Sequence, residues 1–179
     1  MLSSTVAVHI RPLAADDVSA VHQLLSNAAV VRYMLFPICT QEQTEKFVRD
    51  SIAGGVECWR SCDRAIIDEA TGELIGLCGI GMFKGAEEGE LWYLLDPVCQ
   101  GRGLATQATA QLLDVAFNEL GLHRVRACCV PANPASARVL EKLGMRREGY
   151  QLRNLKIQGQ WEDSFLYAIL AEEWRGRTP

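Results

Sequence analysis

The stretch "DPVCQGRGLATQA", Asp96 to Ala108, decides the fold, because a strand passes into a helix there through a turn that carries two glycines and an arginine. Upstream, "ELWYLLDP" is aromatic and aliphatic and stops at Pro97. Downstream, Leu112, Leu113, Ala116, Phe117 and Leu120 fall on one side of a 3.6-residue repeat, the spacing of a helix. A strand that meets a helix through a glycine turn presents the unpaired N–H groups of the helix N-terminus, which donate to an anion such as a phosphate.

Working outward, "TVAVHIRPL" alternates and predicts a first strand from Val6 to Arg11. A helix follows, with Val18, Val21, Leu24 and Leu25 on one side and Asp16 and Asp17 at its positive end. "VVRYMLFPICT" is irregular and broken by Pro37; Thr40 then caps "QEQTEKFVRDSIA", which Gly54 and Gly55 end. "CWRSCDRAIID", "ELIGLCGIGMF" and "GELWYLLD" are three strands separated by short connections, hence antiparallel. The main helix runs from about Gly103 to Leu120 and stops at Gly121, with His123 and Arg124 placed to cap its end. "HRVRACCV" is another strand. "NPASARVLEKLGM" is a helix punctuated by Asn133 at the N-cap, Pro134 at the first position, Lys142 in the last turn and Gly144 just beyond. "RREGYQLRNLKI" and "QWEDSFLYAILAEEW" form a hairpin around "QGQ". The fold class is α+β: one domain over residues 1–179 with a mixed, mostly antiparallel central sheet flanked by helices. The strands on either side of the main helix are expected to be parallel through a crossover.

Composition narrows the function. The chain has 179 residues and a formal charge of −4, with a pI near 5.4. No basic run offers a footprint for nucleic acid, and a cationic substrate fits the balance better. The seven cysteines are odd in number and mostly lie in apolar, strand-like runs, as reduced thiols of a cytoplasmic protein do. No C-x-x-C pair occurs and the three histidines lie in separate segments, so no metal site is expected. The start "MLSSTVAVHIRPL" lacks a basic start followed by a long apolar stretch, and nowhere do about 18 apolar residues run together as a membrane span requires, so a soluble, cytoplasmic protein is expected.

Gln100, Gly103 and Ala105 in "QGRGLA" fill the pattern Q/R-x-x-G-x-G/A between a strand and a helix, and the Asn133 helix ends in "EKLGM". This order of motifs resembles the GCN5-related N-acetyltransferases over nearly the whole chain, and within them the branch of ribosomal-protein N-terminal acetyltransferases. The resemblance implies acetyl-CoA as donor, its pyrophosphate on the turn and its pantetheine arm between two central strands that splay apart. It assigns Leu95, Gln100, Gly101, Arg102, Gly103, Ala105, Thr106, Asn133 and Ser136 to that ligand, with Arg102 either adding charge there or pointing into solvent. It implies direct transfer to a primary amine, first a protein or peptide α-amino group, with a small amine such as a polyamine or aminoglycoside as the alternative. A non-catalytic acyl-CoA-binding module is the reading from another class. A homodimer is left open.

Transfer to an amine needs a neutral nitrogen, a stabilised oxyanion and a proton for the departing thiolate. Glu90 matches an acidic position that serves as general base in family members; its alternative is a solvated acid of the loop shared with Glu87 and Glu88. Many members carry a tyrosine acid in the last helix, where this chain has Leu140; in the favoured branch a serine three residues after the asparagine does related work, and Ser136 stands there. Tyr33, Phe36, Trp92 and Trp161 are candidates for the acceptor pocket, with core or lid packing as their alternative. Asp163 is either an ammonium ligand or a surface charge.

Overall fold

Alternation of side chains across the strands divides the apolar residues between two cores, one on each face of a single sheet. The computed structural model describes residues 7–56, 59–83 and 85–176. Strand β1 (Val8–Pro12) leads through a 3-10 turn at Ala15–Asp17 into α1 (Val18–Leu25), α2 (Ala28–Val31) and α3 (Gln41–Ile52). Then come β2 (Gly55–Val56), β3 (Trp59–Asp68), β4 (Leu74–Phe83) and β5 (Glu88–Leu95). The second half holds α4 (Leu104–Asp114), β6 (Arg124–Cys129), α5 (Pro134–Lys142), β7 (Arg146–Ile157), β8 (Gln160–Leu170) and α6 (Ala171–Arg175). The sheet order is β1-β3-β4-β5-β6-β8-β7, with β2 on β3. Every neighbouring pair is antiparallel except β5 and β6.

On one face, Ala65, Ile67, Leu77 and Leu94 meet Val21, Leu24, Leu25 and Val48 from α1 and α3. On the other, Ile66, Ile80, Leu91, Leu95 and Val125 meet Leu104, Leu112, Leu113 and Phe117 beneath α4, and Leu140 from α5. Complete burial of each such side chain is worth about 1.5–3 kcal/mol. Thr40 caps α3 as its residue type predicts: its hydroxyl accepts from Gln43 N at 3.2 Å while Gln43 Oε1 accepts from Thr40 N at 2.8 Å.

Several boundaries differ from the sequence pattern for local reasons. The expected first strand begins at Val6, which lies outside the described residues, and the observed strand extends to Pro12. The segment that "VVRYMLFPICT" marked as irregular overlaps the short α2, which Asn27 caps by accepting from Ala29 N at 3.0 Å. The main helix is α-helical only to Asp114 and π-helical over Val115–Glu119. His123 and Arg124 do not cap it. Arg175 donates to Phe117 O at 2.6 Å instead, and Arg124 pairs with Glu88 and Glu148. The closing "AEEW" is not strand: Glu173 reaches back to accept from Leu170 N at 2.8 Å, and α6 starts there.

Candidate active site

Parallel pairing of β5 and β6 extends only over Glu88↔Arg124, Gly89↔Val125 and Glu90↔Arg126. Beyond that point β5 stays with β4 to Leu95 and β6 stays with β8 to Cys129, so the two central strands part. The expected splay is therefore present, and it begins at Glu90.

The turn after β5 has the backbone that its glycines allow. Gly101 and Gly103 have φ of 77° and 80°, in the left-handed region, and a Cβ at either would meet nothing within 4 Å. Glycine is required there by conformation and not by crowding. Gly103 is the N-cap of α4 and offers no side chain to the first amides, which in an α-helix have no intrahelical acceptor. A cavity of about 540 Å³ opens over this turn, lined among others by Leu95, Gln100, Gly101, Gly103, Ala105, Thr106, Asn133 and Ser136. Arg138 and Lys142, one helical turn apart on α5, also line it. Amides without an intrahelical acceptor, a positive helix end and two cations suit a pyrophosphate. Arg102, expected at the ligand, is exposed and does not line this cavity.

A second cavity of about 550 Å³ lies on the far side of the parted strands. Tyr33, Met34, Tyr93, Asn133 and Ser136 line both cavities, so the two meet at the N-terminus of α5. Asn133 caps that helix, accepting from Ser136 N at 3.2 Å. Tyr93, from β5, has its Oη 2.7 Å from Ser136 Oγ and 3.2 Å from Ser136 O. Burial pushes the Tyr93 phenol up, against the opposing effect of its bond to Ser136, so it stays protonated and available as a donor. Leu140, also at this cavity, is 1% exposed and offers no proton. Cys128 and Cys129 line the cavity too; burial pushes both thiols up, Cys129 to about 11, which leaves neither as a thiolate nucleophile.

The remaining walls come from β3, β5, α3 and the segment after α2. Tyr33 hydroxyl donates to Ala132 O at 3.0 Å, joining that segment to the loop before α5. Phe36 and Trp92 line the cavity, and Phe47 meets Trp92 edge to face at 6.2 Å between ring centroids. Trp161 is not at the cavity: it sits 59% exposed on the β7–β8 hairpin with Lys156 over its ring. Asp163 accepts from Tyr150 hydroxyl at 2.6 Å and Arg153 N at 2.8 Å, both on the same hairpin.

The cavity is acidic. Asp50, Asp63 and Glu90 line it, and no Lys, Arg or His does among the described residues. Glu90 is not a free loop charge, because its register partner Arg126 lies 3.1 Å away, next to the matching pair Glu88–Arg124 at 2.7 Å. Asp50 pairs with Lys46 at 2.5 Å. Asp63 is 6% exposed, and burial pushes its carboxyl above the ordinary carboxylate range although Ser51, Ser61 and Trp92 hydrogen-bond to it. Sequence reasoning passed over Asp63, Arg138 and Tyr93. Asp63 shares the alternation of the apolar Ala65, and Arg138 with Lys142 has the i, i+4 spacing of one helix face, so both signals were present.

A sheet with this strand order, parted beside a glycine turn and a helix N-terminus, defines the class of acyl-CoA-dependent N-acetyltransferases. The chain belongs to the acetyltransferase (GNAT) domain family, whose pattern matches residues 8–146. It is 33% identical over 171 residues to the uncharacterized N-acetyltransferase YnaD of Bacillus subtilis, covering 96% of this chain and 98% of that one. It is 28% identical over 174 residues to the spermidine N(1)-acetyltransferase of Escherichia coli K12, covering 97% and 91%. A crystal structure of a GNAT-family acetyltransferase from Bacillus anthracis superposes with a TM-score of 0.81 at 33% identity, over 92% of this chain and 95% of that chain. The protein is an N-acetyltransferase acting on an amine, and its family uses acetyl-CoA.

Proposed function

We propose that this chain transfers acetyl from acetyl-CoA directly to the primary amine of a small organic cation. The observation that carries this reading is the acceptor cavity: several aromatic side chains and three carboxylates line it, and no basic residue is among the described lining residues. Of the carboxylates, Glu90 and Asp50 pair with Arg126 and Lys46, while Asp63 has no cation at ion-pair distance among the described residues. Negative potential in a low-dielectric cleft concentrates cationic substrates. The α-amino group of a protein or peptide, the first expectation from sequence, remains the second reading.

Acetyl-CoA supplies the activated acyl thioester. The Gln100 to Thr106 turn, the N-terminus of α4 and the cations Arg138 and Lys142 would hold its pyrophosphate, with Asn133 beside the arm. The acceptor arrives as an ammonium ion, so one proton leaves before attack; Glu90, where the strands part, takes it through a water. After the nitrogen bonds to the acyl carbon and the carbon–sulfur bond breaks, Ser136 hydroxyl donates a hydrogen bond that steadies the departing thiolate, with Tyr93 Oη 2.7 Å from Ser136 Oγ holding that hydroxyl in place. The nitrogen gives up its second proton as it becomes an amide, and the thiolate takes up one proton to leave as the thiol of CoA.

A panel of small amines and N-terminal peptides, assayed by CoA release, tests the reading. Small cationic amines should exceed peptides in kcat/KM. The reverse order would transfer the assignment to protein α-amino groups.

A further inference from the structure

Of the three carboxylates in the acceptor cavity, two already have a cation at ion-pair distance: Glu90 has Arg126 and Asp50 has Lys46. Asp63 has none among the described residues. Its partners are neutral: Ser51 Oγ donates at 2.7 Å, and Ser61 and Trp92 complete the set. Arg64, the next residue, sends its guanidinium to the Asp63 backbone carbonyl at 3.1 Å and not to the carboxylate. A nearly buried carboxylate held in one orientation by neutral donors is costly unless a cation comes to it. The cavity is the side from which one can come.

Position on the sheet says which cation. Asp63 on β3 is in register with Gly79 on β4, and Gly79 with Trp92 on β5. Because Gly79 has no side chain, the carboxylate and the indole meet above it; a Cβ there would lie 2.4 Å from Asp63 Oδ1 and 2.5 Å from Trp92 Nε1. The reacting nitrogen belongs at the other side of β5, where β5 and β6 part and Ser136 stands. Neighbouring strands lie about 4.8 Å apart, so Asp63 is set back from that point by more than one strand spacing. That is too far for the nitrogen under attack.

We propose that Asp63 anchors a second, non-reacting ammonium group of the acceptor, making this chain selective for short diamines and polyamines over monoamines of the same length. The indole of Trp92 and the ring of Phe47 give the intervening methylenes an apolar floor. This inference rests on the amine-acetyltransferase reading and adds to it one residue that measures acceptor length.

The test compares diaminobutane with butylamine, by CoA release and by calorimetric titration of each amine into the CoA-loaded protein. The parent should prefer the diamine, and Asp63→Asn should reduce that preference roughly 10- to 100-fold, the range expected for losing a charge-assisted hydrogen bond. Asp63→Glu, which keeps the charge but moves it, should shift the preference to a diamine of different length. The diamine should also bind the parent more tightly than the Asn variant. An unchanged diamine-to-monoamine ratio in an active, folded Asn variant overturns the role of Asp63 alone. If neither amine turns over but diamine binding still depends on Asp63, the proposed reaction fails and the ammonium site stands.

Discussion

Tyr93 Oη lies 2.7 Å from Ser136 Oγ, so hydroxyls from β5 and from the first turn of α5 touch where the two cavities meet. Neither residue would be held there by its own element alone. The tyrosine is fixed by a strand whose pairing with β6 has just ended, and the serine by an N-cap whose asparagine also faces the donor cavity.

That contact predicts the effect of removing either hydroxyl. Ser136→Ala should lower kcat about 100-fold, within the usual range for a positioned proton donor, with little change in CoA affinity, because the bond to sulfur strengthens as charge develops on it. Tyr93→Phe should lower kcat less, since Ser136 can still donate after losing its support. Steady-state rates and calorimetric CoA binding on both variants measure this. Undiminished turnover in Ser136→Ala would make the contact a structural tie between β5 and α5.

The cofactor turn predicts a loss of binding together with strain. Gly103 has φ of 80°, which a β-branched residue adopts only with difficulty, at a cost on the order of 1–3 kcal/mol. Gly103→Val should therefore lower the denaturation midpoint and weaken CoA binding measured by calorimetry. Since a Cβ at Gly103 meets nothing within 4 Å in the protein, Gly103→Ala should be the milder case on both counts. Equal CoA affinity in parent and Val variant would detach the turn from the pyrophosphate.

The turn was readable in the sequence because its requirements are local: two glycines at positive φ, a strand end before them and a helical repeat after them. Asn133, Pro134 and Gly144 marked α5 for the same reason. What the sequence left open came from distant residues meeting. Ser51 and Asp63 are brought together by α3 lying on the sheet, and nothing near Asp63 in the chain announces that contact. Glu90 was read as either a general base or a solvated acid of its loop; its actual neighbour, Arg126, lies 36 positions further along the chain and is brought beside it by parallel pairing. Trp161 shows the converse, an aromatic whose type suggested a pocket and whose place on the outer hairpin leaves it exposed.

Glu90 has a prediction that separates proton transfer from packing. Glu90→Gln keeps the shape of the side chain and removes the proton acceptor, and Arg126 keeps Glu88 at 3.5 Å as a partner. With an ordinary alkylamine the variant should be slowed about 100-fold. With an acceptor of low basicity, already neutral at the assay pH, parent and variant should differ far less, because no proton has to be removed before attack. Equal slowing with both acceptors would mean that Glu90 positions the substrate or braces the β5–β6 junction, leaving the proton to solvent.

The buried carboxyl of Asp63 should also be visible in the stability of the protein without any substrate. Desolvation raises its folded-state pKa, opposed by hydrogen bonds from Ser51, Ser61 and Trp92 and by the charge of Arg64. The other groups near it are the thiols Cys62 and Cys78, which stay protonated because burial raises them, and Asp50 and Glu90, which carry their own cations. A carboxyl with a raised folded pKa contributes stability that is fully present below its unfolded value, near pH 3.9, and is lost as pH rises through the folded value. The parent should therefore lose stability relative to Asp63→Asn as pH rises from about 4 toward neutrality, since the amide carries no charge to desolvate. Urea titrations of both proteins across that interval give the difference directly. Addition of diaminobutane at neutral pH should then stabilise the parent more than the variant, because the ligand supplies the cation that the folded protein lacks at this carboxylate. A stability difference that does not vary with pH would mean that Asp63 ionises as freely in the folded chain as in the unfolded one.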